Sequence, residues 1–202
     1  ITNGNCSAND QVLVTFNQNP TASNAGPDQT NAATCGLTSV TLAANAPSVG
    51  PGQWSIVSGS GGSFTGGAGN PANSNSNTAT FNGVTGNTYT LRWTISNSPC
   101  TSSTDDVDIT FNANPTVANA GSDQTNIATC GLTSVTLAAN TPTTGTGQWS
   151  IISGAGGSFT GGSGNPSNSS ISNPTFSGVA GTAYVLRWTI SNSPCTASTD
   201  DV

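Results

Sequence analysis

Nine residues, RWTISNSPC, stand at 92–100 and again, unchanged, at 187–195. They belong to a longer register. Laying residues 21–107 over 116–202, an offset of 95, gives 64 identical pairs out of 87. TCGLTSVTLAAN at 34–45 returns at 129–140, and GGSFTGG at 61–67 returns at 156–162. With so long a period, each copy can carry its own hydrophobic core, and 95 residues is the size of one β-sandwich domain. The division is a first module at 21–115 and a second at 116–202. Residues 1–20 parallel 95–115 with one residue fewer, and read as the tail of a preceding module, the end of its strand F and its strand G. The second module stops at DDV, before any counterpart of DITFN at 108–112. The simplest expectation is a window on a longer array. The sharper alternative is strand donation, in which a strand at 11–17 completes a neighbour that lacks its last strand.

Composition narrows the class. Val, Ile, Thr, Trp and Phe come in short bursts between stretches of Gly, Ser and Asn, an all-β pattern with turn-rich connections. The charged residues are eight Asp and two Arg, with no Lys, Glu or His, for a net charge of −6. Two Arg cannot displace the counterions of a phosphate backbone, so nucleic acid is excluded as a partner. No apolar run approaches the roughly 20 residues of a membrane helix, so no membrane insertion is expected.

Within the first module the pattern predicts strands near 21–31 (A), 37–44 (B), 52–58 (C), 62–65 (a short C′ or D), 78–84 (E), 87–96 (F) and 105–112 (G). In YTLRWTI, alternation turns Tyr89, Leu91, Trp93 and Ile95 to one face and Thr90, Arg92 and Thr94 to the other. Trp54 on strand C and Trp93 on strand F should meet in the core, with Phe81 and Phe111 beside them. Trp149, Trp188 and Phe176 repeat this in the second module. About seven short strands with a Trp on strand C is the pattern of an immunoglobulin-like sandwich. The stretch 58–77 is rich in Gly and Asn and reads as a long surface loop around one short strand.

Five cysteines, spaced too widely for a zinc cluster and without His, point to disulfides and an oxidising, extracellular setting. Cys35 precedes strand B and Cys100 follows strand F. In the immunoglobulin topology B and F run the same way, so these positions lie at opposite ends of a module. A strand of about seven residues spans roughly 23 Å, whereas a disulfide needs Cα atoms within about 7 Å. A bond between modules has no such difficulty, because the A–B loop of one module meets the F–G loop of the next in a head-to-tail array. Cys35 would then pair with Cys195, and Cys6, Cys100 and Cys130 with neighbouring modules. The alternative is pairing inside modules, Cys35 with Cys100 and Cys130 with Cys195, leaving Cys6 over.

Candidate chemistry is sparse. Catalysis needs titratable groups gathered in a pocket. All eight carboxylates recur in two places, Asp28 with its copy Asp123, and the entry to strand G at Asp10, Asp105, Asp106, Asp108, Asp200 and Asp201. Paired carboxylates can hydrolyse glycosides, but recurrence in each module points to a structural role, and no enzyme is expected. Calcium is a further reading of Asp105, Asp106 and Asp28, since hard oxygen ligands suit it, although no DxDxDG loop is present. The competing reading has Asp106 and Asp108 flanking Arg92 across the F–G hairpin. A glycan or surface ligand could use the loops, whose copies differ at 75–79 (NSNTA) and 170–174 (SISNP). Asn5-Cys6-Ser7 and Asn168-Ser169-Ser170 match the N-glycosylation pattern.

The string NAGPDQT…C…SVTLAA…GQWSI…GNTYTLRWTISNSPC…STDDVDITFN resembles the PKD-like and immunoglobulin-like repeats of very large secreted surface proteins of Bacteroidota. These include gliding-motility adhesins and other cargo of the type IX secretion route. The residues that carry it are Asp28, Cys35, Trp54, Trp93, Cys100 and Asp106, with copies Asp123, Cys130, Trp149, Trp188, Cys195 and Asp201. The resemblance implies a non-catalytic stalk or filament outside the cell, partnered by further copies of the same module, in one chain or in a filament.

Overall fold

A computed structural model of the chain describes residues 2–4, 6–7 and 9–202. A short antiparallel hairpin pairs β1 (Thr2–Asn3) with β2 (Cys6–Ser7). Residues 9–20 carry no strand, although the sequence suggested one over 11–17.

The first module holds β3 (Ser39–Thr41), β4 (Gly52–Ser58), β5 (Ser63–Thr65), β6 (Asn73–Ser74), β7 (Thr80–Asn82), β8 (Thr88–Ile95) and β9 (Ser103–Thr110). The second repeats it as β10 (Ser134–Thr136), β11 (Thr146–Ser153), β12 (Ser158–Thr160), β13 (Asn168–Ser169), β14 (Thr175–Ser177), β15 (Val185–Asn192) and β16 (Cys195–Asp201). Each module has a three-stranded sheet, β3-β7-β5 or β10-β14-β12. Each also has a four-stranded sheet, β6-β4-β8-β9 or β13-β11-β15-β16. All of these pairings are antiparallel. The two sheets of a module share one core, so each module is a sandwich of the immunoglobulin type.

The core follows from the alternation in β8. Tyr89, Leu91, Trp93 and Ile95 are buried, and the residues between them are more exposed. Trp54 of β4 stands directly across from Trp93, with ring centroids 5.2 Å apart. Trp149 and Trp188 repeat the pair at 5.3 Å. The other sheet contributes Val40, Phe64 and Phe81, the last two cross-strand neighbours at 5.2 Å. Gly52 lies flat against the Trp93 indole, and a Cβ there would enter the ring. The pair of tryptophans therefore dictates glycine beside it.

Two expectations need correction. The stretch 58–77 is not a loop around one strand. It holds both β5 and β6, and Phe64 and Ser74 in it are fully buried. Its glycines admit tight turns, and the Ser74 hydroxyl donates to the Gly66 carbonyl. β5 joins β7, which makes it a D strand rather than C′, while β6 extends the opposite sheet beside β4. The segment 21–31 is not a continuous strand either. It touches the sheet through a parallel bridge of Gln29 with Ile109 and is otherwise held by side chains and by two isolated backbone bonds, Thr21 N–H to the Val49 carbonyl and Asn45 N–H to the Asn24 carbonyl.

Candidate functional site

The structure joins Cys35 to Cys195, with Cα atoms 5.6 Å apart. The bond lies beside the linker between the modules. Cys35 caps a 3-10 turn over Ala32–Thr34, and the next residue, Gly36, donates its N–H to the Asn112 carbonyl at the exit of β9. Asn112 Nδ2 reaches back to the Thr30 and Asn31 carbonyls and to Thr34 Oγ1 at 2.8 Å. The A–B turn is thus fixed to the end of the module where the chain leaves. Cys195 opens β16, directly after the β15–β16 turn, where Asn192 Nδ2 donates to the Ala113 carbonyl at 2.7 Å. Two strand-end turns, one from each module, therefore close over residues 113–115. The same contact stands one module earlier, where Asn97 Nδ2 donates to the Gln18 carbonyl at 2.7 Å.

The within-module alternative is not formed: Cys100 and Cys130 are free thiols, the first half-buried and the second exposed. The Cys6 side chain and Asn5 of the first sequon lie outside the described residues. In the second sequon, Asn168 is half-buried in β13 and Ser169 is buried, its hydroxyl donating to the Gly161 carbonyl at 2.6 Å.

The three carboxylates considered for calcium do not converge. Asp105 and Asp106 are neighbours on β9 and so face opposite sides of the sheet. Asp105 Oδ2 accepts from the Ala25 N–H at 2.7 Å, and Asp28 Oδ1 accepts from the Asp108 N–H at 2.9 Å. These bonds tie the strand-poor segment 21–31 to β9. Sequence reasoning missed this role because the residues lie 80 apart and no local pattern pairs them. Asp106 accepts from Nε and Nη2 of Arg92, at 2.7 and 2.8 Å. Asp108 instead accepts from Thr90 Oγ1 at 2.8 Å. Among the described residues no group of three or more His, Cys, Asp or Glu side chains could hold a metal ion.

The hydrogen bonds from Arg92 hold the Asp106 carboxyl below its ordinary value, against a weaker opposing effect of burial. Arg187 does the same for Asp201. A depressed carboxylate pKa gives stability that is present above the unfolded value, about 3.9, and is lost as pH falls through the folded one. Both pairs are about 40% exposed, so the effect is small. Denaturation midpoints of the native chain and of Asp106→Asn should differ slightly at neutral pH. That gap should close only once the pH is well below the ordinary carboxylate range.

The arrangement is a clasp between modules. No protein-family model matches the chain, and no curated protein does. Among solved structures, the human desmocollin-1 ectodomain aligns over 94% of this chain at 9% identity, with a TM-score of 0.33. This chain spans 37% of that one, and a likeness at this level carries no argument. No helix among the described residues is long and apolar enough to cross a membrane.

Proposed function

We propose that the chain is a structural, non-catalytic repeat segment of an extracellular stalk, filament or adhesin on a bacterial surface, stiffened by a disulfide at the module junction. The observation that carries this reading is the Cys35–Cys195 bond beside the linker. Domains joined only by a linker move relative to one another by default. A covalent bond beside the linker turns one point of attachment into two and removes most of that freedom. Disulfides persist in oxidising compartments, which supports a location outside the cell. Most of the recurring carboxylates support the structural reading as well: Asp28, Asp105 and Asp200 accept from backbone N–H groups, Asp106 and Asp201 pair with Arg, and Asp108 accepts from Thr90. Small-angle scattering of the dilute chain tests it: one extended particle with a narrow distribution of shapes is expected. A broad distribution, as from hinged beads, would overturn the reading.

A carbohydrate-binding role is the second reading. A small recess lined by Gln53, Asn75, Thr94 and Ser96 lies beside the loop that differs between the copies. A glycan array probed with the native chain and with Asn75→Ala decides it, and binding lost in the variant would favour this role.

A further inference from the structure

We propose that the Cys35–Cys195 bond is a tension bypass: a pull along the chain runs through residues 21–35, the disulfide and residues 195–201, and both tryptophan cores stay out of the loaded path. The inference deepens the structural reading above and rests on it. Stiffening concerns bending at the junction, whereas the bypass concerns stretching.

The path follows from covalent topology. A taut chain carries force along its shortest covalent route. For any pull that enters ahead of Cys35 and leaves beyond Cys195, that route crosses the disulfide and omits a loop with a sequence separation of 160 residues. The loop contains β3 to β15, and with them both tryptophan pairs. Without the bond the route is the backbone itself, and the strands of each core must bear the full tension in turn.

The two stretches that stay on the route are placed to bear it. Residues 21–34 run along the first module from one end to the other. Near the start Thr21 N–H donates to the Val49 carbonyl, just ahead of β4. At the far end Thr34 Oγ1 accepts from Asn112 Nδ2, beyond β9. Between these points the segment is tied sideways to β9. Ser103 Oγ accepts from the Ser23 N–H at 2.9 Å, Asp105 Oδ2 from the Ala25 N–H at 2.7 Å, and Asp28 Oδ1 from the Asp108 N–H at 2.9 Å. The Gln29 N–H donates to the Asp108 carbonyl at 2.8 Å, and the Thr110 N–H to the Gln29 carbonyl at 2.9 Å. Asn45 ties the segment from the opposite side, its Oδ1 accepting from the Asn24 N–H at 2.9 Å. A pull along the segment strains these bonds together rather than one after another.

The second module offers the same arrangement. There β16 lies antiparallel along β15, from the pairing of Cys195 with Asn192 to that of Asp201 with Arg187. Ladder bonds stand perpendicular to antiparallel strands, so the load on β16 is again shared among them. Asp28 and Asp105 thereby gain a mechanical role: they fasten the loaded segment to a sheet that carries no load. With every one of these bonds broken, only residues ahead of Cys35 and beyond Cys195 can straighten. At about 3.3–3.6 Å per residue that adds less than about 100 Å, whereas unravelling a whole module adds roughly 250–300 Å.

The test stretches the whole chain in optical tweezers, between DNA handles fixed to peptide tags at its two ends. The native chain should lengthen by less than about 100 Å at every force the handles bear. The Cys35→Ala/Cys195→Ala chain should add two steps of roughly 250–300 Å, one for each module. Those steps also report that both modules are folded in the variant. Asp28→Ala combined with Asp105→Ala should release residues 21–34 at about two-fold lower force, since hydrogen bonds of similar strength share the load, and should leave the length limit unchanged. If that pair does not fold, Ser103→Ala removes one tie and should lower the release force by less. Module-sized steps in the native chain would overturn the proposal. So would a cysteine variant that lengthens no further than the native chain, or a release force that the Asp and Ser variants leave unmoved. Scattering separates the two readings: a native chain that lengthens in module-sized steps yet scatters as one narrow, extended particle sinks the bypass and leaves the stalk standing.

Discussion

Trp93→Ala should destabilise the first module by about 3–5 kcal/mol and leave the second module's unfolding transition in place. Trp93 is fully buried, stands cross-strand from Trp54, and roofs Gly52. Truncation removes the indole from the centre of one core, and the facing strands cannot close over it without breaking the β4–β8 register. The cores are separate clusters, 25–111 and 118–202, so the damage stays local. For a domain of this size each kcal/mol lowers the melting temperature by about 4–8 °C, so calorimetry should split into two transitions well apart. Trp188→Ala should move the other transition. Trp93→Phe should cost much less than Ala, because it keeps a ring in place and removes an indole N–H that has no acceptor in the protein. A single merged transition in Trp93→Ala would mean that the modules fold as one unit.

The parts of the fold that were legible in the sequence are those with a short-range signal. The alternation in YTLRWTI marks 87–96 as a strand, and β8 runs from Thr88 to Ile95. GQWSI marks β4 because a small residue, a tryptophan and β-branched neighbours fit a half-buried pleat. The illegible parts are those held by side chains across long separations. Residues 21–31 look like a strand because they are polar-apolar mixed and free of Pro except at Pro27. In the structure Asp105 and Ser103 take the Ala25 and Ser23 N–H groups, which leaves one bridge at Gln29. The stretch 58–77 reads as unstructured because Gly and Asn dominate it. Those residues nevertheless allow a compact turn, in which Asn75 Oδ1 accepts from the Ala68 N–H at 2.7 Å. For the site, strand direction alone puts Cys35 and Cys100 at opposite ends of a module. The contacts that fix the clasp, Asn112 on the A–B turn and Asn192 on Ala113, have no signature beyond the recurrence of Asn. A repeat shows that a residue is used in each copy but not what it touches.

Replacing both Cys35 and Cys195 with Ala should widen the range of angles between the two modules. The bond closes a loop of 160 residues. The chain-entropy estimate for a loop of that length gives at most about 5 kcal/mol, and losses of about 2–4 kcal/mol are typical. The loss in stability should fall chiefly on whichever module unfolds first, since the bond limits the freedom of that module once open. The mechanical effect is larger. Without the bond, the named contacts holding the junction are the linker and the Asn192 bond to Ala113. A single hydrogen bond contributes about 0.5–1.5 kcal/mol, so the angle between the modules should spread widely at room temperature. Electron micrographs of single particles should show a broad distribution of that angle in the double variant and a narrow one in the native chain. Cys100→Ala serves as the control: it removes a thiol at the same loop of the other module and should change neither the angle nor the melting temperature of the monomer. If the double variant keeps the narrow angle, packing of the Asn192 turn against residues 113–115 sets the stiffness, and the disulfide only secures a geometry that the linker already holds.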